Sequence, residues 1–260
     1  MNLKCQHSSV NLLSKLAKNH VHSIIIEGPK GCGKTYLAKE YSKLLNVPDF
    51  QLISPNVSEI RNTINEFYSL NNDVVLCIEN LDLGVAAASY ALLKFLEEPK
   101  KNAYIVITCR NIAKIPDTIL SRSSLVNTSR PIPADIELYA QEKDKTNYRE
   151  KQILPIWKCV KSFNDVDLIF NMTTDQLNYF ANIDKNLNFN KPISQLVWDI
   201  GHYSDGSECP VEIMLRYIMN FYNNPHINRC AVECLNDIAS GRVASHASIA
   251  RFCFDAKFGG

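Results

Sequence analysis

The sequence predicts an α/β fold built on a parallel sheet and continued by a helical region, and three observations lead there. Short apolar runs rich in β-branched residues recur at Ser23-Ile24-Ile25-Ile26, Val74-Val75-Leu76-Cys77-Ile78 and Tyr104-Ile105-Val106-Ile107. None shows the polar alternation of a strand with one wet face, so both faces of each are expected to be covered. The stretches between them carry apolar residues at helical spacing, an alternation that lays helices on both sides of a parallel sheet. After Ser129-Arg130-Pro131-Ile132-Pro133 the strand-like runs stop, and the rest reads as helical.

Taken in order, Leu12, Leu13, Leu16 and Ala17 form the stripe of a first helix, which leads into the strand around Ile24. That strand ends in Gly28-Pro29-Lys30-Gly31-Cys32-Gly33-Lys34-Thr35, and Leu37, Ala38, Tyr41, Leu44 and Leu45 then restore a helical stripe. Phe50-Gln51-Leu52-Ile53 reads as a short strand, Ile60, Ile64 and Phe67 as a helix face, and residues 88–97 as a helix between the later strands. Beyond the proline-bearing segment, helices are expected over 134–143, 150–162, 174–181, 193–202, 211–222, 227–240 and 244–254. Clusters such as Asp184-Lys185-Asn186 and Ser204-Asp205-Gly206 divide them. Three parts result: 1–130, 131–189 and 190–260.

Composition narrows the function. With 46% apolar and 21% charged residues among 260, the chain can bury a core, which excludes global disorder. A net charge of +1 excludes a strongly basic protein that holds duplex DNA by itself, so any DNA contact is local or shared. Nine cysteines, an odd number that includes one in the glycine-rich turn, point to a reduced, cytoplasmic setting. No apolar run approaches membrane-spanning length and the first residues do not resemble a signal peptide, so neither secretion nor membrane insertion is expected.

The segment Gly28, Pro29, Lys30, Gly31, Cys32, Gly33, Lys34, Thr35 fits the G-x-x-x-x-G-K-[ST] phosphate loop, and it lies between a buried strand and a helix, as that mechanism requires. Glycines let backbone N–H groups wrap the phosphates of ATP, and the new helix points its positive end at them. Lys34 is expected to reach the β- and γ-phosphates, and Thr35 to offer its hydroxyl to Mg²⁺. The strand 74–78 ends in Glu79-Asn80, where a carboxylate at the tip can hold the metal through water. After the next strand, Thr108 or Asn111 by hydrogen bonding, or Arg110 by charge, could read the outer phosphate.

Further along, Tyr90-Ala91-Leu92-Leu93-Lys94-Phe95-Leu96-Glu97-Glu98-Pro99 and Thr118-Ile119-Leu120-Ser121-Arg122-Ser123, with Ile60-Arg61 upstream, stand in a familiar order and spacing. They resemble bacterial sliding-clamp loader subunits of the AAA+ class, nearest the DNA polymerase III delta-prime and gamma types. Such loaders open a ring-shaped clamp and place it on primed DNA during replication. The resemblance implies an AAA+ P-loop NTPase core over 1–130, a helical lid over 131–189 and a helical collar over 190–260. It also implies a ring-like pentamer with other loader subunits, a sliding clamp and primer-template DNA as partners, and ATP with Mg²⁺ as cofactors.

Within that resemblance Arg122 is the arginine finger that approaches a neighbour's γ-phosphate. Where AAA+ proteins end the metal-binding strand in Asp-Glu, this chain has Glu79-Asn80. Asn80 has no useful basicity for positioning an attacking water, so ATP binding is expected to survive and hydrolysis is in doubt. The main expectation is an ATP-driven loader subunit. The alternatives are a non-hydrolysing, delta-prime-like subunit that supplies Arg122 in trans, or another AAA+ DNA-remodelling ATPase. A second sensor arginine is not recognisable, and Arg216 lacks the spacing for it. Cys230 and Cys234 on one helix read as core packing rather than a metal site. The short chain without a four-cysteine zinc insertion fits a compact, phage-encoded loader, and hence the host cytoplasm.

Overall fold

The computed structural model describes residues 6–69, 72–101, 103–183, 187–240 and 245–258. Two compact units are present. The first comprises residues 1–139 with 162–164, and the second 140–161 with 165–260.

The first unit runs α1 (His7–Lys18), β1 (Ser23–Glu27), α2 (Lys34–Leu44), β2 (Asp49–Ile53), α3 (Val57–Ser69), β3 (Val74–Ile78), α4 (Ala86–Glu97), β4 (Ala103–Cys109), α5 (Asp117–Leu120) and β5 (Ser124–Asn127). Its five strands lie in the order β2-β3-β4-β1-β5, and every pairing is parallel. The period-two geometry of a strand explains why these runs are apolar throughout. Ile25, Leu76, Ile78, Ile105 and Ile107 point to one face, where Ile60, Ile64 and Phe67 of α3 and Leu92 and Phe95 of α4 cover them. Ile24, Ile26, Val75, Cys77 and Val106 point to the other, under Leu13 and Ala17 of α1 and Leu37, Ala38 and Tyr41 of α2. Each such side chain removed from water stabilises the unit by roughly 1.5–3 kcal/mol before the entropy of ordering it is counted.

Strand β5 was not among the expected strands. It is four residues long, and only Val126 is buried, so its sequence carries little strand signal. Its register against β1, with Ile24 opposite Ser124 and Ile26 opposite Val126, makes it the edge of the sheet.

The second unit is largely helical. Its helices Thr174–Ala181, Ile193–Gly201, Val211–Tyr222, Pro225–Ser240 and Ser245–Phe258 lie where the sequence spacing expected them, within a few residues. Ala244 and the turn cluster 184–186 lie outside the described residues. The expected helix over 150–162 is corrected: the chain forms Lys145–Lys151, a 3-10 turn Pro155–Cys159, and then a separate helix Phe163–Asn171. Pro155 explains the break, since it lacks an N–H and its ring collides with the preceding turn of a helix. The new start at Lys145 is capped by Asp144, whose carboxylate accepts the N–H groups of Thr146 and Asn147 at 3.0 and 2.9 Å. Thr173 and Gln176 close a capping box at Thr174–Ala181.

Inside this unit Arg216 grips Asp165 with two nitrogens, at 2.8 and 3.1 Å, and also donates to the carbonyl of Cys159. The arginine that the sequence left without a role therefore ties Val211–Tyr222 to the segment around residue 160. All eight described cysteines of the chain are free and buried. Among the described residues no helix is long and apolar enough to cross a membrane.

Candidate functional site

Parallel strands bring their C-terminal ends to one edge of the sheet, the usual place for a ligand in an open α/β fold. Here that edge collects residues 28–35 after β1, Glu79 and Asn80 after β3, and Thr108 near the end of β4. The pairing of Glu27 with Cys109 and the bond from the Gly28 N–H to the Cys109 carbonyl, 3.1 Å, fix the loop against the end of β4.

The loop takes the shape its glycines permit. Gly31 and Gly33 have φ of 75° and 89°, a left-handed region in which a Cβ is strained. Gly33 is the residue before α2, so the first N–H groups of that helix open onto the loop. The outside of the loop is held tightly. The Gln6 amide donates to the Cys32 carbonyl at 2.8 Å, and the Phe163 N–H donates to the Gly31 carbonyl at 3.1 Å. Nothing in the sequence marked Gln6 or Phe163, because each reaches the loop from a distant stretch of chain.

Lys34 is buried, and its ammonium curls back to donate to the carbonyls of Gly28 and Pro29 at 2.8 and 2.9 Å. Burial pushes its pKa down, and the nearby charge of Arg110 adds to that while the thiol of Cys32 opposes it. Lys30 is exposed, Pro29 is half-buried, and Cys32 is fully buried with its thiol pushed up by desolvation. Thr35 donates its hydroxyl to Oε1 of Glu79 at 2.7 Å. The two residues expected to face a metal therefore meet.

Asn80 has a left-handed backbone, φ 47°, a conformation asparagine tolerates better than most residues. Its N–H donates to the Thr108 hydroxyl at 2.9 Å. Thr108 is thereby joined to the tip of β3. Asp82, two residues on, accepts the N–H groups of Arg110 and Asn111 at 3.1 and 3.2 Å, a fastening the sequence did not reveal.

Arg122 is not brought to this edge. It follows α5, and its neighbour Ser123 bonds Ser23, the first residue of β1, at 2.7 Å between hydroxyls. Arg122 thus lies at the opposite end of the sheet from the loop, separated by the length of β1, roughly 16 Å for five residues. It donates to the Thr118 carbonyl at 2.8 Å and pairs with Glu97 at 3.0 Å, both side chains being well exposed. Such a pair is weak and easily exchanged.

These residues suit a magnesium-bound nucleoside triphosphate. Two left-handed glycines and a helix N-terminus offer N–H groups to phosphate, Lys34 offers a cation, and a hydroxyl and a carboxylate at 2.7 Å supply hard oxygen donors.

Comparisons with known proteins converge. A family profile described as DNA polymerase III, delta subunit, matches residues 45–131. The DNA polymerase III subunit delta′ of Haemophilus influenzae is 27% identical over 142 residues, covering 50% of this chain and 42% of that protein. Subunit tau of the same polymerase from Bacillus subtilis is 26% identical over 137 residues, 41% of this chain and 24% of that protein. The match therefore spans less than half the length of either relative. Among solved structures, a DNA polymerase III gamma subunit-related protein from Thermotoga maritima superposes with a TM-score of 0.55 at 15% identity, covering 96% of this chain and 98% of the other. A RuvB variant from the same organism reaches 0.52 at 12% identity, covering 95% and 82%. At those identities the likeness is one of fold.

Proposed function

We propose, from the premise that the chain belongs at family level with the AAA+-like clamp-loader subunits of DNA polymerase III, that it acts as a delta-prime-like subunit. In this reading it binds ATP with Mg²⁺ at residues 28–35 without turning it over, and it lends Arg122 to the site of an adjacent subunit. The lid over 131–189, the collar over 190–260, a ring-like pentamer, a sliding clamp and primer-template DNA belong to the same reading.

The observation that carries it is the opposed placement of the two halves of a catalytic site. Lys34, Thr35 and Glu79 gather at one end of the sheet, while Arg122 stands at the other, beside Ser23. A guanidinium so placed cannot serve the phosphates of its own chain. On a ring of similar subunits it meets a neighbour's. Asn80 supports the rest of the reading, because an amide at the strand tip cannot take a proton from water. When bound, magnesium would draw charge from the phosphates; Thr35 and Glu79 orient it, and Lys34 neutralises the outer phosphates.

A hydrolysing subunit remains the second reading, favoured by the Thr35–Glu79 contact, which keeps a metal-organising pair intact. One comparison separates the two. The purified chain is expected to bind ATP and to give no single-turnover hydrolysis, with Lys34→Ala abolishing binding. In the loader assembled with its partner subunits, Arg122→Ala is expected to lower turnover at the one site it serves by about a thousandfold, the size of an arginine-finger effect, and total turnover by that site's share. Turnover by the isolated chain would establish the hydrolysing reading instead, and an assembled loader indifferent to Arg122→Ala would remove the trans role.

A further inference from the structure

Arg122 is held twice, once by its main chain and once by its side chain. Its N–H donates to the Ile119 carbonyl at 3.1 Å, and the next residue, Ser123, is tied to Ser23 through the 2.7 Å hydroxyl pair. These contacts fix where the side chain starts and leave the guanidinium unused. The guanidinium itself is folded back onto its own chain. Nη1 donates to the Thr118 carbonyl at 2.8 Å and to the Ser121 hydroxyl at 3.4 Å, and Nη2 donates to Oε1 of Glu97 at 3.0 Å.

The two sets of partners differ in kind. Thr118 and Ser121 belong to the same short turn as Arg122, so they travel with it and are neutral acceptors. Glu97 is the last residue of α4 and the one ionic partner of Arg122 among the described residues. A cavity of about 110 Å³ borders the arginine, and Val21, His22, Ser23, Phe95, Leu96 and Pro99 line it without a further carboxylate. A carboxylate and a phosphate would compete for the same nitrogens. An exposed ion pair is the weaker of the two contacts, because water screens it, whereas a phosphate met in a water-poor junction forms strong charge-assisted hydrogen bonds. Phosphate therefore wins where it is present, and Glu97 keeps the arginine where it is not.

We propose that Glu97 is a positioning residue that holds Arg122 on its own subunit until an adjacent subunit presents a triphosphate, which then takes Nη2 from the carboxylate. The inference rests on the trans role of Arg122 and adds its regulation. Glu97 becomes a competitor of the neighbour's ATP. Its effect falls on the ATP concentration needed for half-maximal turnover and leaves the rate at saturation alone.

The test is steady-state ATP turnover of the loader assembled with its partner subunits, clamp and primed DNA, measured against ATP concentration. The variants are Glu97→Gln, Arg122→Ala and the two combined, and the component followed is the turnover that Arg122→Ala removes. Glu97→Gln keeps the size of the side chain and discards its charge. It is expected to lower the half-saturating ATP of that component by about two- to fivefold, the worth of an exposed ion pair, with kcat unchanged. Raising the salt concentration is expected to close the gap between the wild type and Glu97→Gln, since salt screens the pair in the wild type. In the Arg122→Ala background the turnover that remains is expected to be the same with Glu97 or Gln at this position. A general defect in folding or assembly would alter that residual turnover as well. A half-saturating ATP that is unchanged or raised in Glu97→Gln, or an equal shift without Arg122, overturns this inference and leaves the trans role standing. If Arg122→Ala removes no turnover, both fall.

Discussion

Gly31 is one of the tight points of the loop. Its φ of 75° strains any L side chain, and a Cβ there would lie 2.5 and 2.6 Å from Oγ and Cβ of Ser162. Gly206 has a similar φ of 81° but open space around the same position. The two glycines therefore separate backbone strain from collision. Gly206→Ala is expected to cost about 1–2 kcal/mol from conformation alone. Gly31→Ala is expected to cost more, and to displace Ser162 from the loop. Urea unfolding of both variants measures the difference, and equal losses would mean that Ser162 yields freely. The same residue-scale logic applies to Asn80, where the left-handed backbone suits asparagine and would burden a glutamate. The missing basic group and the local backbone are therefore linked in one residue.

At the scale of elements, the fold joins its pieces through a few polar contacts whose loss is costly because they are buried. Arg216 and Asp165 are the clearest case in the second unit, with side chains 17% and 6% exposed. Asp165 also accepts the Lys161 N–H at 2.9 Å, so it fixes the entry to the helix Phe163–Asn171 as well as the arginine on Val211–Tyr222. Asp165→Ala leaves that cation buried without its partner and is expected to destabilise the chain by about 3–5 kcal/mol. Denaturant titration checks this, and a loss under about 1 kcal/mol would mark the pair as no better than a surface contact. Asp82 plays a comparable part in the first unit by holding the two N–H groups after β4.

For the whole molecule the buried thiols set an alkaline limit. Desolvation pushes Cys77, Cys109, Cys209 and Cys253 to about 12 from an ordinary value of 9.0. The unfolded chain therefore loses these protons first. Their contribution to stability is fully present below about pH 9 and is lost as pH rises towards about 12. The urea midpoint is expected to be flat across neutral pH and to fall steadily above 9. A midpoint unchanged at pH 11 would mean that these thiols are not shielded in solution.

The sequence by itself determined what depends on neighbours along the chain. Apolar runs at 23–26, 74–78 and 104–107, helical stripes between them, and a glycine-rich turn at the end of the first strand sufficed for the parallel sheet and for bringing Thr35 and Glu79 to the same edge of it. Period and turn chemistry are local properties, so they are written locally. Contacts between distant segments were decided only by the tertiary structure. Examples are the edge strand β5, Gln6 and Phe163 on the loop, Asp82 beneath Arg110, and the distance that separates Arg122 from its own loop. A hydrogen bond between residues far apart in sequence leaves no periodic trace, because its partners are chosen by where the sheet delivers them.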